Sequence, residues 1–140
     1  MSEPLWKIVK AAPRLSDAKA ARRKLGDLSS EPTLVPMLAE KNFHALIEGL
    51  ADHSPYLWRL ASSDTRRLAR LCDDTPDGAF DQILRHVREQ ARSATDEARV
   101  MEVLRHAKQD AALLIALADI GGVWDVIAVT RALSDFADCM

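Results

Sequence analysis

The apolar residues of this chain recur at three- and four-residue steps, and strict two-residue alternation is nearly absent. Positions three and four apart lie on one side of an α-helix, whereas a half-buried strand needs every second position apolar. Only five glycines interrupt the 140 residues. The sequence therefore predicts an all-α fold, an irregular multi-helix array or bundle of about six or seven helices.

The pattern also predicts where the helices lie. Residues 96–118 should form the longest and most buried helix, with Thr95 as its N-cap before Asp96 and Glu97. Ser54 followed by Pro55 is typical of a helix start. The other helices are predicted over residues 16–25, 35–50, 80–91 and 123–136. A further helix is predicted to begin at residue 63 or 64.

The first 32 residues give weaker sequence evidence for a packed domain than the rest of the chain does. The surface of the short helix predicted through Leu25 is mostly basic, from Lys19 to Lys24, and Gly26 with residues 28–32 is typical of a helix stop and a linker. We therefore predict a poorly committed N-terminal segment over residues 1–32 and a helical domain over residues 33–140.

The composition limits the classes of function. Hydrophobic residues make up 48% and charged residues 29%, as in an ordinary soluble domain. A net charge of −2 gives no bulk attraction to nucleic acid or to an anionic membrane, so neither is predicted as a partner. Because Cys72 and Cys139 form no disulfide framework and no signal peptide begins the chain, a cytoplasmic location is predicted.

The residues that could carry chemistry are scattered. His44 and Glu48 share a helix face, but two ligands do not make a metal centre. Gly121-Gly122 lacks the preceding strand and the further glycines of a phosphate loop. We therefore predict no catalytic, cofactor-binding or metal-ligating residue in this chain. The other residues considered and set aside are His53, His86, His106, Asp119, Asp125, Asp135 and Asp138.

Basic and aromatic residues have simpler structural explanations. Lys19 to Lys24 make one basic turn without interleaved aromatics, which is weak support for nucleic-acid binding. Arg66, Arg67 and Arg70 are expected to form local ion pairs with Asp64 and Asp73-Asp74. Trp58 and Trp124 are expected to anchor the core, Trp6 to dock onto the domain or a partner, and Cys72 to be a buried, inert thiol.

Three blocks in order along residues 44–138 resemble a known family. Residues 54–60 read SPYLWRL, similar to a family segment SPYLxxL. Residues 97–105 resemble a long family helix with a leucine–arginine pair, and residues 119–138 resemble the pattern DLxGxxD…T…LSxxAD. The blocks are similar to the N-terminal half of the bifunctional glutamine synthetase adenylyltransferase/adenylyl-removing enzymes, in the region before the nucleotidyltransferase motif.

The resemblance implies a parent activity that this stretch alone does not carry. The family transfers AMP from ATP to a tyrosine of glutamine synthetase, removes it by phosphorolysis, and responds to the PII signal protein. Its chemistry needs magnesium held by a D-x-D pair after a glycine and a serine. This chain has no such motif, so it is expected to be an inactive N-terminal flank of a nucleotidyltransferase, with ATP and magnesium implied only for the full-length parent.

The last predicted helix ends without a clear stop signal, and Val126, Val129, Leu133 and Phe136 share one face of it. We expect this apolar stripe to be incompletely covered, to face the rest of the parent enzyme, and to allow self-association of the isolated chain. The alternative is a self-sufficient all-α interaction or regulatory module with no enzymatic parent.

Overall fold

The structure is a computed structural model that describes residues 3–139, and all its regular elements are helical. The predicted all-α class is confirmed, but the predicted number of helices was too low. Within residues 3–139 there are nine α-helices, with a 3-10 helix over Gly26–Ser30 after the second. They are α1 (Leu5–Ile8), α2 (Ala18–Leu25), α3 (Leu34–Leu38), α4 (Lys41–His53), α5 (Pro55–Ser63), α6 (Thr65–Cys72), α7 (Pro76–Ser93), α8 (Glu97–Ile120) and α9 (Val126–Cys139).

One additional helix arises because the segment predicted as a single helix over residues 35–50 is broken. Glu40 adopts an extended backbone, with φ −74° and ψ 120°, and so ends the helical hydrogen-bond ladder between α3 and α4. On either side of the break, α3 buries Leu34 and Met37, and α4 buries Phe43 and Leu46. The other addition, α1, is a single turn of four residues.

Helix starts follow the capping chemistry of the sequence. The Ser54 hydroxyl accepts a hydrogen bond from the Leu57 N–H at 3.2 Å, with Pro55 in the first turn as predicted. For α8 the prediction was wrong by one residue, because the carboxylate of Asp96, not Thr95, accepts the Arg99 N–H at 2.7 Å. Asp96 has the extended backbone that an N-cap requires.

The core is built around α8, which packs along α7 and also meets α5, α6 and α9. At 24 residues α8 is the longest helix, as predicted. Its C-terminal half is the buried part, and Leu113, Leu114 and Leu117 expose none of their surface. By proportion, however, α4 is more deeply buried, since seven of its 13 residues are buried against eight of 24 in α8.

The N-terminal segment lies against the same core. Leu5 and Val9 are buried there, and the Leu5 N–H donates to the Asp74 carbonyl at 2.9 Å. The N–H groups of Lys10 and Ala11 both donate to the Gly121 carbonyl, at 2.8 and 3.0 Å. These bonds hold the segment over the junction after α8, while the domain boundary at residue 33 stays a prediction.

A single carboxylate fixes the start of α2 against the end of α4. The side chain of Asp52 accepts hydrogen bonds from the Ser16 N–H at 2.6 Å and the Asp17 N–H at 3.1 Å. The Ser16 bond is the main cause that lowers the pKa of Asp52 below its ordinary value. Asp17 in turn caps α2 by accepting the Ala20 N–H.

Candidate functional site

A cleft of about 530 Å³ opens between α6, α7 and α8. Its floor is apolar and is formed by Leu71, Ala79, Ile83 and Ala107. A pocket of this size with an apolar floor and convergent polar groups is typical of small-molecule sites. The polar groups that line this α6–α8 cleft are Asp64, Arg67, Arg70, Asp74, Gln82, His86, His106 and Asp110.

Arg67 is the buried charge of the cleft, with only 7% of its surface exposed. Its two terminal nitrogens are satisfied, since Nη2 donates to the Leu60 carbonyl at 2.6 Å and Nη1 to Gln109 Oε1 at 3.2 Å. Its Nε has no hydrogen-bond partner, and the nearest opposite charge is Asp110 Oδ1 at 3.6 Å. A buried donor without a hydrogen-bond partner is uncommon, and here the Nε faces the Asp110 carboxylate at ion-pair distance instead.

Asp110 connects the two arginines. Its Oδ2 lies 3.3 Å from Arg70 Nη2, and its Oδ1 faces Arg67 Nε. Burial raises the pKa of Asp110, and the charges of Arg70 and Arg67 offset only part of that effect. The three groups therefore tie α6 to α8 while carrying a formal charge of +1 together.

The two aspartates at the rim of the cleft are already engaged. Asp64 caps α6 by accepting the Arg67 N–H at 3.0 Å, and Asp74 Oδ1 accepts the Thr75 N–H at 2.7 Å. Backbone N–H groups at a helix start offset part of such a negative charge.

The structure gives the arginines of α6 a different ion-pair partner from the one predicted from sequence. Arg67 and Arg70 do not pair with Asp73-Asp74; their carboxylate partner is Asp110, on α8. The prediction was wrong because it looked only for neighbours in sequence. The signal that was available is the period of α6, which places Arg67 on the same side as the buried Leu68 and Leu71.

Two of the remaining candidate histidines lie in the cleft, and a third lies apart from it. His86 and His106 both line the cleft, whereas His44 pairs with Glu48 at 2.9 Å on α4. Within residues 3–139 no three His, Cys, Asp or Glu side chains come together as a metal site. Cys72 is fully buried, and that burial raises the pKa of its thiol.

The tryptophans lie at the edges of the core. Trp124 meets Phe80 edge to face, with ring centroids 6.1 Å apart, and Trp58 is half-buried against the core as expected. Trp6 docks onto the body of the domain, where its indole N–H donates to Asp73 at 3.3 Å. No helix in the described part of the chain is both long and apolar enough to cross a membrane.

The last helix presents a second candidate surface. Asp125 caps α9 through the Ala128 N–H at 2.8 Å, so the helix begins at Val126 rather than at residue 123. We call Val126, Ile127 and Leu133 the α9 outer face; 78%, 69% and 56% of their respective surfaces are exposed.

Only two of the four residues in the apolar stripe predicted on this helix are exposed. Val129 and Phe136, predicted to share the open face with Val126 and Leu133, are partly buried and pack against the core beside Ala132. Together the four positions cover both the side of α9 that contacts α7 and α8 and the side that does not. The prediction was therefore right for two residues and wrong for the other two.

Comparison with known sequences identifies the family to which this chain belongs. The sequence model described as Glutamate-ammonia ligase adenylyltransferase matches residues 44–140. The chain therefore belongs to the glutamate-ammonia ligase adenylyltransferase family. No solved structure matches it significantly.

Three relatives show how much of the family this chain represents, and each is named a bifunctional glutamine synthetase adenylyltransferase/adenylyl-removing enzyme. The one from Bradyrhizobium sp. (strain BTAi1 / ATCC BAA-1182) is 42% identical over 111 residues, 76% of this chain and 11% of the relative. The protein from Rhodopseudomonas palustris (strain HaA2) is 45% identical over 96 residues, 69% of this chain and 10% of the relative. The relative from Xanthobacter autotrophicus is 36% identical over 138 residues, which is 94% of this chain and 14% of the relative. The chain thus spans about a tenth to a seventh of these relatives.

Proposed function

We propose that this chain is a non-catalytic helical part of a glutamine synthetase adenylyltransferase/adenylyl-removing enzyme. One observation carries the proposal: the chain matches such enzymes at 36–45% identity over most of its own length but over only 10–14% of theirs. The alternative of a module with no enzymatic parent loses its support, because the family match covers residues 44–140.

The chemistry of the proposed parent belongs to another part of the polypeptide. Transfer of AMP from ATP requires magnesium and inward-facing carboxylates that clamp the phosphates. The sequence of this chain contains no glycine–serine pair followed by a D-x-D pair, the motif that holds magnesium in the family it resembles. In this proposal the chain supports the domain that holds ATP and magnesium, the target is glutamine synthetase, the regulator is the PII protein, and the location is the cytoplasm.

The α9 outer face is the proposed contact with the rest of that polypeptide. Three exposed aliphatic side chains make a patch of roughly a few hundred Å². That is well below the ~800 Å² per partner of a stable interface between separate proteins. Within one polypeptide the effective concentration reaches the order of millimolar, so a smaller patch is enough for docking.

The isolated chain is expected to self-associate weakly through the same face. Replacing Leu133 by Asp should abolish this association, because a charge at the centre of an apolar contact must be desolvated. Sedimentation velocity over a range of concentrations measures the effect. Met101→Asp is the matched control, since Met101 is 61% exposed on α8 and lies outside the α9 outer face. Association that persists unchanged in Leu133→Asp would contradict this use of the helix.

The purified chain is expected to transfer no AMP to glutamine synthetase and to release no ADP from adenylylated glutamine synthetase in the presence of phosphate. The reason is that the chain contains no glycine–serine followed by a D-x-D pair. Radiolabelled ATP measures the forward reaction, and a full-length relative serves as the positive control. Turnover by the chain alone, above a heat-inactivated sample, would overturn the proposal that it is non-catalytic.

A further inference from the structure

We propose that residues 10–17 form a releasable strap, and that this strap holds α9 in place by fixing the junction between α8 and α9. The strap lies between α1 and α2 and connects the junction with the end of α4. The orientation of α9 sets where the α9 outer face points, so the consequence for docking rests on the proposed function. The contacts that hold the strap are independent of that function.

The strap is attached mainly by hydrogen bonds rather than by apolar burial. Residues 10–17 form no regular secondary structure, and none of them is buried. Pro13 and Leu15 are partly buried, whereas Leu5 and Val9, which precede the strap, lie in the core. A segment with few buried apolar contacts and exposed hydrogen bonds opens at a lower free energy than the core does. We therefore expect the strap to detach while the helices stay folded.

The end of α4 holds the C-terminal half of the strap. The Asp52 side chain is only 4% exposed, and its carboxylate accepts the N–H groups of Ser16 and Asp17 and the Ser16 hydroxyl. The neighbouring His53 ring is hydrogen-bonded through Nε2 to the Arg14 carbonyl. Hydrogen bonds to a charged group are roughly twice as strong as those between neutral groups. Asp52 is therefore the latch of the strap.

The other end of the strap lies on the junction between α8 and α9. Lys10 and Ala11 donate their N–H groups to one acceptor, the carbonyl of Gly121, which directly follows α8. The next residue, Gly122, turns the chain with φ +70°, and a methyl group there would lie 3.2 Å from the Ala11 Cβ. The strap therefore contacts both residues at which the chain leaves α8 and turns toward α9.

The helix that follows the junction is held by little burial of its own. Of the 14 residues of α9 only Ala132 is buried, whereas α4, of nearly the same length, buries seven of 13. The backbone contacts at the junction therefore contribute a large share of what fixes α9. Release of the strap should loosen α9, and with it the α9 outer face, while α8 stays packed.

Amide hydrogen exchange of the full chain, followed residue by residue by NMR, tests the strap. In Asp52→Ala the strap amides of Lys10 and Ala11 should exchange at least about tenfold faster, although both are bonded to the junction and not to Asp52. The amide of Ala132, in the middle of α9, should exchange at least about threefold faster. The amide of Leu114, in the packed half of α8, should change by less than about twofold.

Asp27→Ala is the matched control, because it removes the same side chain from an exposed position of the 3-10 helix. It should change the exchange of the two strap amides by less than about twofold. Gly49→Ala releases the strap in a second way, because the added methyl group would lie 2.5 Å from Cδ of Pro13. It should also speed the exchange of the strap amides, so the test does not depend on the folding of Asp52→Ala, which circular dichroism checks.

Three results would overturn the proposal. Unchanged exchange of the two strap amides in both Asp52→Ala and Gly49→Ala would show that the strap is not held at the end of α4. Equal acceleration of the strap, α9 and α8 amides would show that the strap opens only with the whole fold. Faster strap amides with an unchanged Ala132 amide would show that the strap does not hold α9. A failure of the proposed function would appear in AMP transfer instead, so the two failures are distinguishable.

Discussion

Leu114→Ala is expected to lower the free energy of unfolding by about 2–5 kcal/mol, the range for a large aliphatic side chain removed from a packed core. Leu114 exposes none of its surface and lies in the half of α8 that the other helices surround. The loss combines the transfer of the removed atoms to water with the cavity that remains. Urea unfolding followed by circular dichroism measures it.

Leu104→Ala on the same helix is the control. Leu104 is only partly buried at the margin of the core, so truncating it should cost clearly less than truncating Leu114. The same chemical change at two positions separates burial from helix propensity, because both variants place alanine in α8. Equal losses in the two variants would show that the packing around α8 is not as described.

Gly49→Ala is expected to destabilise the fold by about 1–3 kcal/mol, which is the typical cost of overpacking. A methyl group at Gly49 would lie 2.5 Å from Cδ and 2.7 Å from Cγ of Pro13. The proline ring is rigid and belongs to the N-terminal segment that crosses the helices, so relief requires that segment to move. Thermal unfolding measures the change.

Gly26→Ala provides the matched control for this substitution. A methyl group there would meet no atom within 4 Å, and Gly26 has the helical backbone angles φ −55° and ψ −31°. Alanine should therefore stabilise the chain by about 0.4–1 kcal/mol, since it restricts the unfolded chain without strain in the folded one. A Gly49→Ala variant as stable as the wild type would show that residues near Pro13 do not pack on α4.

The fold was predictable where local signals agree with one another. Ser54-Pro55 at the start of α5 combines a capping side chain with a proline at the first helical position, and the structure keeps both. The break at Glu40 was not predictable, because no glycine or proline marks it. Both α3 and α4 bury apolar residues, so the periodicity of the segment gives no sign that a break lies between them.

The candidate sites were likewise predictable only in part. The exposed Val126 and Leu133 follow from the helical period, but which part of the apolar sector is covered depends on how α9 sits against α7 and α8. The Arg67–Asp110 pairing joins residues 43 positions apart in sequence, so no local pattern indicates it. Ordered family blocks, in contrast, could be identified from the sequence, and the match over residues 44–140 confirms that identification.

The most direct measurement of the proposed role uses the Bradyrhizobium relative as a host. Its matched stretch of 111 residues is either deleted or replaced by this chain, and AMP transfer to glutamine synthetase is measured for both proteins and for the intact host. We predict that the deletion abolishes the transfer and that the replacement restores most of it, because the chain supplies the helical support and the host supplies the chemistry. A replacement protein that is folded by circular dichroism yet as inactive as the deletion would contradict the proposal.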